Sequence, residues 1–147
     1  MKSKFKVRFG KVEHGWFPIT FSTTEVDFVI DASDVPIDPI MEIIKAVEGA
    51  CINRSQSEAW FSLEPHYYQM VLEPKNENIT LSVYYVDEHG VQIKHNSRTQ
   101  RKNKEFEYSG NTNDVLVQFW RGLKELASRE TAYLREIEVI EGAARKI

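Results

Sequence analysis

A chain of 147 residues, 41% hydrophobic and 28% charged, suits one hydrophobic core, since a domain near this length buries ~70% of its unfolded surface. It has no apolar run near the ~18 residues that cross a bilayer, and its first residues, MKSKFKVRFG, lack the apolar stretch of ~7 to 15 residues that marks a secretory leader. The net charge is −3 but unevenly spread: residues 25–88 carry thirteen acids against three bases, and residues 89–104 carry five bases and no acid, so an acidic middle segment able to steer a basic partner is expected.

Phe5, Val7 and Phe9 alternate with Lys4, Lys6 and Arg8, the period of a strand with one wet side. A turn over Lys11–Gly15 leads to a second strand, Trp16–Phe21, where Pro18 predicts an edge or a bulge. Thr23-Thr24 turns the chain again. Val26, Phe28 and Ile30 then alternate with Glu25, Asp27 and Val29, and the polar cluster Asp31–Asp34 is expected to end this third strand. A helix follows over 38–52: Asp38 is its N-cap, Pro39 its first residue, Glu42 lies in its first turn, and Ile40, Ile43, Ile44, Val47, Ala50 and Cys51 form its buried stripe. Asn53-Arg54 closes it.

The stretch AWFSLEPHYYQMVLEP, residues 59–74, reads as two aromatic-rich strands meeting at Glu64-Pro65, and it takes the centre of the sheet. Ile79–Val86 is a further strand. Asp87–Lys104, with the basic tract KHNSRTQRKNK, reads as a hairpin or loop, Phe106 and Tyr108 as a last strand, and Ser109–Asn111 as a turn. Helical spacing then sets in, with Thr112 or Asn113 as cap and Leu116, Phe119, Trp120, Leu123 and Leu126 on one side of a helix over 113–127. The register continues through Glu130, Tyr133, Leu134, Ile137 and Ile140, so either one helix runs to about residue 143 or two pieces join near Ser128. The pattern implies a single α+β domain: an antiparallel sheet of six or seven strands with two main helices on one face, and 128–147 as a projecting C-terminal helix. Tyr133, Leu134, Ile137 and Ile140 would then need cover, either from a returning face of the same domain or from a second copy in a homodimer.

The GW of the second strand, DASDVPIDPIMEIIKAVEGA, WFSLEP and NITLSVYYV together resemble a group of small uncharacterised bacterial proteins, over about residues 15–86. The resemblance implies an α+β fold. By analogy of size and design with the immunity proteins that stand beside secreted toxins, it also raises a toxin-neutralising role.

The motifs of nucleotide, zinc-protease and serine-hydrolase chemistry are absent from the sequence. His14, His66, His89 and His95 show no metal-ligand spacing, so neither metal nor cofactor is expected. His66, beside Glu64, is the residue on which an enzyme or small-ligand reading would rest. Cys51, the single cysteine, reads as a buried inert thiol and fits a reducing, cytoplasmic setting. The basic tract lacks the interleaved aromatics of a nucleic-acid surface. The reading favoured is therefore a cytoplasmic protein-binding module for a basic partner, using the acidic middle segment and the aromatics Trp16, Trp60, Tyr67, Tyr68 and Tyr84.

Overall fold

The computed structural model describes residues 5–87 and 101–144. Alternation in Lys6–Phe9 (β1), Trp16–Ser22 (β2) and Asp27–Ser33 (β3) turns Val7, Phe9, Phe17, Ile19, Phe21, Ile30 and Ala32 to one buried side, as period-two geometry requires. Helix α1, Pro39–Ile52, leads to Ser57–Ser62 (β4), Tyr67–Lys75 (β5), Asn78–Val86 (β6) and Arg101–Asn111 (β7). The seven strands form one antiparallel sheet in chain order. Helix α2, Thr112–Arg129, a 3-10 turn over Thr131–Tyr133 and helix α3, Leu134–Ala144, follow. Among the described residues no helix is long and apolar enough to cross a membrane.

One cluster of side chains joins the sheet to all three helices. Ile40, Ile43, Ile44 and Val47 of α1, Leu116, Phe119, Leu123 and Leu126 of α2, and Ile137 and Ile140 of α3 are buried in it. The sheet curls around this core and brings rings from its first half against β7. Phe5 stacks on Tyr108 at 4.8 Å between ring centroids, and Phe106 lies 5.8 Å from Phe21 and 5.4 Å from Phe28. Such curling follows from accumulated strand twist. Gly122 allows α2 to settle on β1, because a Cβ there would stand 2.9 Å from the Phe9 ring.

The N-terminus of α1 is built as its sequence indicates. The Asp38 carboxylate accepts from the amides of Ile40 and Met41 at 3.0 and 3.2 Å, satisfying donors that the first helical turn leaves open. Glu42 does more than complement the helix dipole: its Oε1 accepts the backbone N–H of Trp60 at 2.8 Å.

Several expectations are corrected. Pro18 does not mark an edge or a bulge, because β2 lies between β1 and β3 in continuous register. Gly10 donates to the Pro18 carbonyl at 2.8 Å, and proline has no N–H to return. The Arg129 guanidinium instead reaches the Gly10 carbonyl at 3.4 Å and that of Phe9 at 3.0 Å. β3 continues through Asp31 to Ser33 rather than ending there. Ser109–Asn111 is not a turn but the end of β7, where Ser109 and Thr80 share a hydroxyl hydrogen bond across strands. The cap of α2 is accordingly Asn111, whose side chain accepts from Asn113 and Asp114. Residues 101–104 belong to β7 instead of a loop, and the rest of the expected loop beyond Asp87 lies outside the described residues.

The C-terminal expectation splits. The helix breaks at Glu130, the C-cap of α2, so the two-piece alternative holds. α3 does not project: it packs on α1 and α2. Ile137 and Ile140 are buried against the rest of the chain, as the returning-face alternative has them, and the Leu134 side chain lies outside the described residues.

This placement predicts that Ile43→Ala lowers the unfolding free energy in urea by ~2 to 5 kcal/mol, as expected for a fully buried aliphatic side chain. Val29→Ala, on the exposed side of β3, should stay within about 0.5 kcal/mol. Equal losses at the two positions would contradict the assignment of faces.

Candidate functional site

The β4–β5 hairpin closes with Leu63 N–H on the His66 carbonyl at 2.7 Å, and Glu64 takes a positive φ of 47° before the cis bond to Pro65. Glu64 and His66 do not form an acid/base pair. The Glu64 carboxylate accepts from the Ser33 hydroxyl, tying the hairpin to the end of β3. His66 instead lies beside Tyr85, with ring centroids 5.3 Å apart, and its buried Nδ1 has no hydrogen-bond partner among the described residues. Among the described residues no three or more His, Cys, Asp or Glu side chains converge to hold a metal.

The five expected aromatics divide by strand parity. Trp60, Tyr67 and Tyr84 gather with Val86 and Ile37 in a second cluster on the side of the sheet away from the helices, and Trp60 meets Tyr67 edge-on at 6.3 Å. Trp16 belongs to the same side, in the lateral row Trp16, Ser33, Ser62, Tyr67. Tyr68 takes the other side, against Phe28 and Tyr85, and its hydroxyl donates to Glu105 at 3.0 Å. Burial, that bond and the charge of Glu105 push the Tyr68 phenol up to about 12. Trp60 and Tyr67 are buried, so they support this surface more than they present it. Their cluster holds two unsatisfied polar atoms on cross-strand neighbours, Trp60 Nε1 and Gln69 Oε1.

Beside this row lies a surface that sequence reasoning did not assemble. Val29 stands 56% exposed and Val35 62%, and Val26, expected among the buried set, is 50% exposed in the turn before β3. Glu25, Asp27, Asp31 and Asp34 are exposed around them. Between Lys11 and Lys45 the chain has no lysine or arginine. The one local signal was Val29 itself, an apolar residue in the polar half of the alternation.

Past the C-terminal end of β3, Asp34 lines a cavity of about 310 Å³ together with Val12, Phe17, Asp38, Pro39, Ile40, Glu130 and Tyr133. The Tyr133 hydroxyl donates to Asp38 Oδ2 at 2.7 Å. Burial first, then that bond and the charges of Asp38, Glu130 and Asp34, raise the Tyr133 phenol well above its ordinary value. A second cavity, about 220 Å³, lies by the start of α2 between Arg54, Glu77 and Asn113. The first three amides there are already taken, Thr112 by the Glu77 carbonyl and the next two by the Asn111 side chain.

No family model and no curated protein matches this sequence. Among solved structures, a chain of the CdiA-CT/CdiI toxin and immunity complex from Enterobacter cloacae is similar, with a TM-score of 0.53 over 82% of this chain and 99% of that one. The two are 12% identical, so the likeness is one of fold.

Two outcomes check the local chemistry. Folded Tyr68 keeps its proton to about 12 whereas an ordinary phenol ionises near 10.0, so its contribution to stability is full below pH 10 and is lost as pH rises toward 12. Tyr68→Phe should therefore lose less stability over that interval than the wild type in urea titrations, and identical alkaline profiles would contradict the shift. Cys51 is buried, which pushes its thiol up, with a smaller opposing effect from Arg54. It should stay unreactive toward a disulfide reagent near neutral pH until the protein unfolds, and rapid native labelling would place it at the surface.

Proposed function

We propose that this chain is a protein-binding module for a partner with a basic surface, and that toxin neutralisation is the form this binding takes. The observation that carries the reading is the outer side of β3 and its flanks, where exposed Val26, Val29 and Val35 stand among Glu25, Asp27, Asp31 and Asp34 with no cation nearby in the chain. Apolar contact ringed by charge of one sign is how interfaces combine burial with orientation. Lys6 and Arg8 lie on the same side of the sheet but two strands away, so the face is polarised and would orient the partner as it approaches. Support also comes from the fold likeness, since either component of a toxin and immunity complex is engaged by another protein. The buried single thiol fits a reducing compartment, and we place the module in the cytoplasm on that ground.

The test takes the protein that co-purifies with the chain and measures its association rate against ionic strength. The rate should fall as salt shortens the Debye length from ~10 Å at 0.1 M to ~3 Å at 1 M. The double substitution Asp27→Lys with Asp31→Lys, at two exposed strand positions, should slow association by roughly tenfold or more while leaving the thermal transition in place. A salt-indifferent rate, or a charge-reversed variant that binds as well as the wild type, would overturn the reading.

A further inference from the structure

The cavity at the end of β3 has two kinds of wall. Val12, Phe17, Pro39 and Ile40 give it an apolar lining, and Asp34, Asp38 and Glu130 supply carboxylates. These carboxylates are not equivalent. Asp38 is fully engaged, with one oxygen on the first amides of α1 and the other on Tyr133, so its charge is offset by the helix end. Among the described residues, Asp34 and Glu130 have no donor and no counter-ion on their side chains. Arg129, the base next in sequence to Glu130, is committed to the Phe9 and Gly10 carbonyls and to Glu125 at 3.6 Å. Tyr133 cannot serve them either, because its only proton goes to Asp38.

We infer that this cavity receives a basic side chain, lysine above all, from the partner protein, with its aliphatic stem along Phe17, Pro39 and Ile40 and its cationic head between Asp34 and Glu130. The inference rests on the protein-binding reading above and specifies which group of the partner is seated. Three physical arguments select this occupant. An amphipathic side chain needs an apolar channel that ends in opposite charge, and long basic residues combine these two characters in one group. The volume, about 310 Å³, is at the small end for ligand pockets and suits a side chain better than a larger molecule. A bare metal ion is disfavoured by the spread of the carboxylates, which do not converge as a ligand set among the described residues. Asp34, exposed directly after β3, stands both among the acids near the β3 surface and in the cavity wall.

The side-chain analogue n-butylammonium tests this without the partner, with n-butanol as the neutral control of nearly equal shape. In amide-detected NMR titrations of the full chain, butylammonium should saturably shift the signals of Asp34, Ile40, Glu130 and Tyr133, and butanol should bind several-fold more weakly. Asp34→Asn with Glu130→Gln removes no hydrogen bond seen in the fold and should weaken butylammonium binding roughly tenfold, from two partly exposed ion pairs. Glu73→Gln, at an exposed position of β5 outside both the cavity and the β3 surface, serves as the control and should leave it unchanged. Equal binding of butanol and butylammonium, shifts scattered over other acidic surfaces, or full retention in the double variant would each overturn the inference. A partner that binds the double variant as tightly as the wild type would also overturn it while leaving the protein-binding reading intact. Butylammonium seated as expected, alongside a partner whose association ignores salt, would support the cavity and sink the broader reading.

Discussion

The architecture depends on a seam. β3 and β4 share one aligned pair, Ser33 with Ser62, whereas β2 and β3 share seven. A strand that loses its neighbour leaves backbone groups needing partners, and buried ones are almost never left bare. Here α1 takes the place of the missing strand. Glu42 accepts the Trp60 amide and the Ala46 carbonyl receives the Ser57 hydroxyl at 2.6 Å, so the helix is fastened along β4 by polar contacts as well as by its apolar stripe. Phe28 reaches Tyr68 across the gap, and Glu64 reaches Ser33 at its far end.

Because the seam is narrow, the two halves of the sheet are free to fold toward each other, and this gives the curled form. β1–β3 and β5–β7 enclose one aromatic core, with Phe5, Phe21, Phe28, Phe106, Tyr108 and Phe119 in mutual contact. The helices close the open side. The outer side of β3 carries the exposed valines and aspartates, and past its end Asp34 meets Glu130 and Tyr133 of the α2–α3 joint in the cavity wall.

Much of this was legible in the chain, and the limits have physical reasons. Strand alternation and the cap of α1 are local signals, carried by neighbours a few residues apart, and they placed the sheet and Asp38 correctly. The parity that separates Tyr67 from Tyr68 was equally available, since adjacent strand residues face opposite ways. Grouping the aromatics by composition overlooked it. The possible join was read near Ser128, two residues before the actual break at Glu130, and the choice between self-packing and pairing needed the direction of α3, which no period contains. The turn expected at Ser109–Asn111 failed because small polar residues serve equally as turn formers and as an exposed strand that runs directly into its own N-cap. The cavity was invisible for a different reason: its walls come from residues 12–17, 34–40 and 130–133, brought together only by the tertiary fold.

Arg129 has a consequence beyond the proline it offsets. Gly10 and Pro18 form the hydrogen-bonded position of the β1–β2 pair, so the alternation of an antiparallel ladder turns the Phe9 carbonyl outward, to the open edge of the sheet. That edge is where a second chain could add itself by backbone pairing, the route by which folded proteins are recruited into aggregates. β1 is only four residues long, and a guanidinium already occupies one of its outward acceptors. Crowded in a cell with many copies of itself, the molecule meets its own kind at an edge with little left to copy.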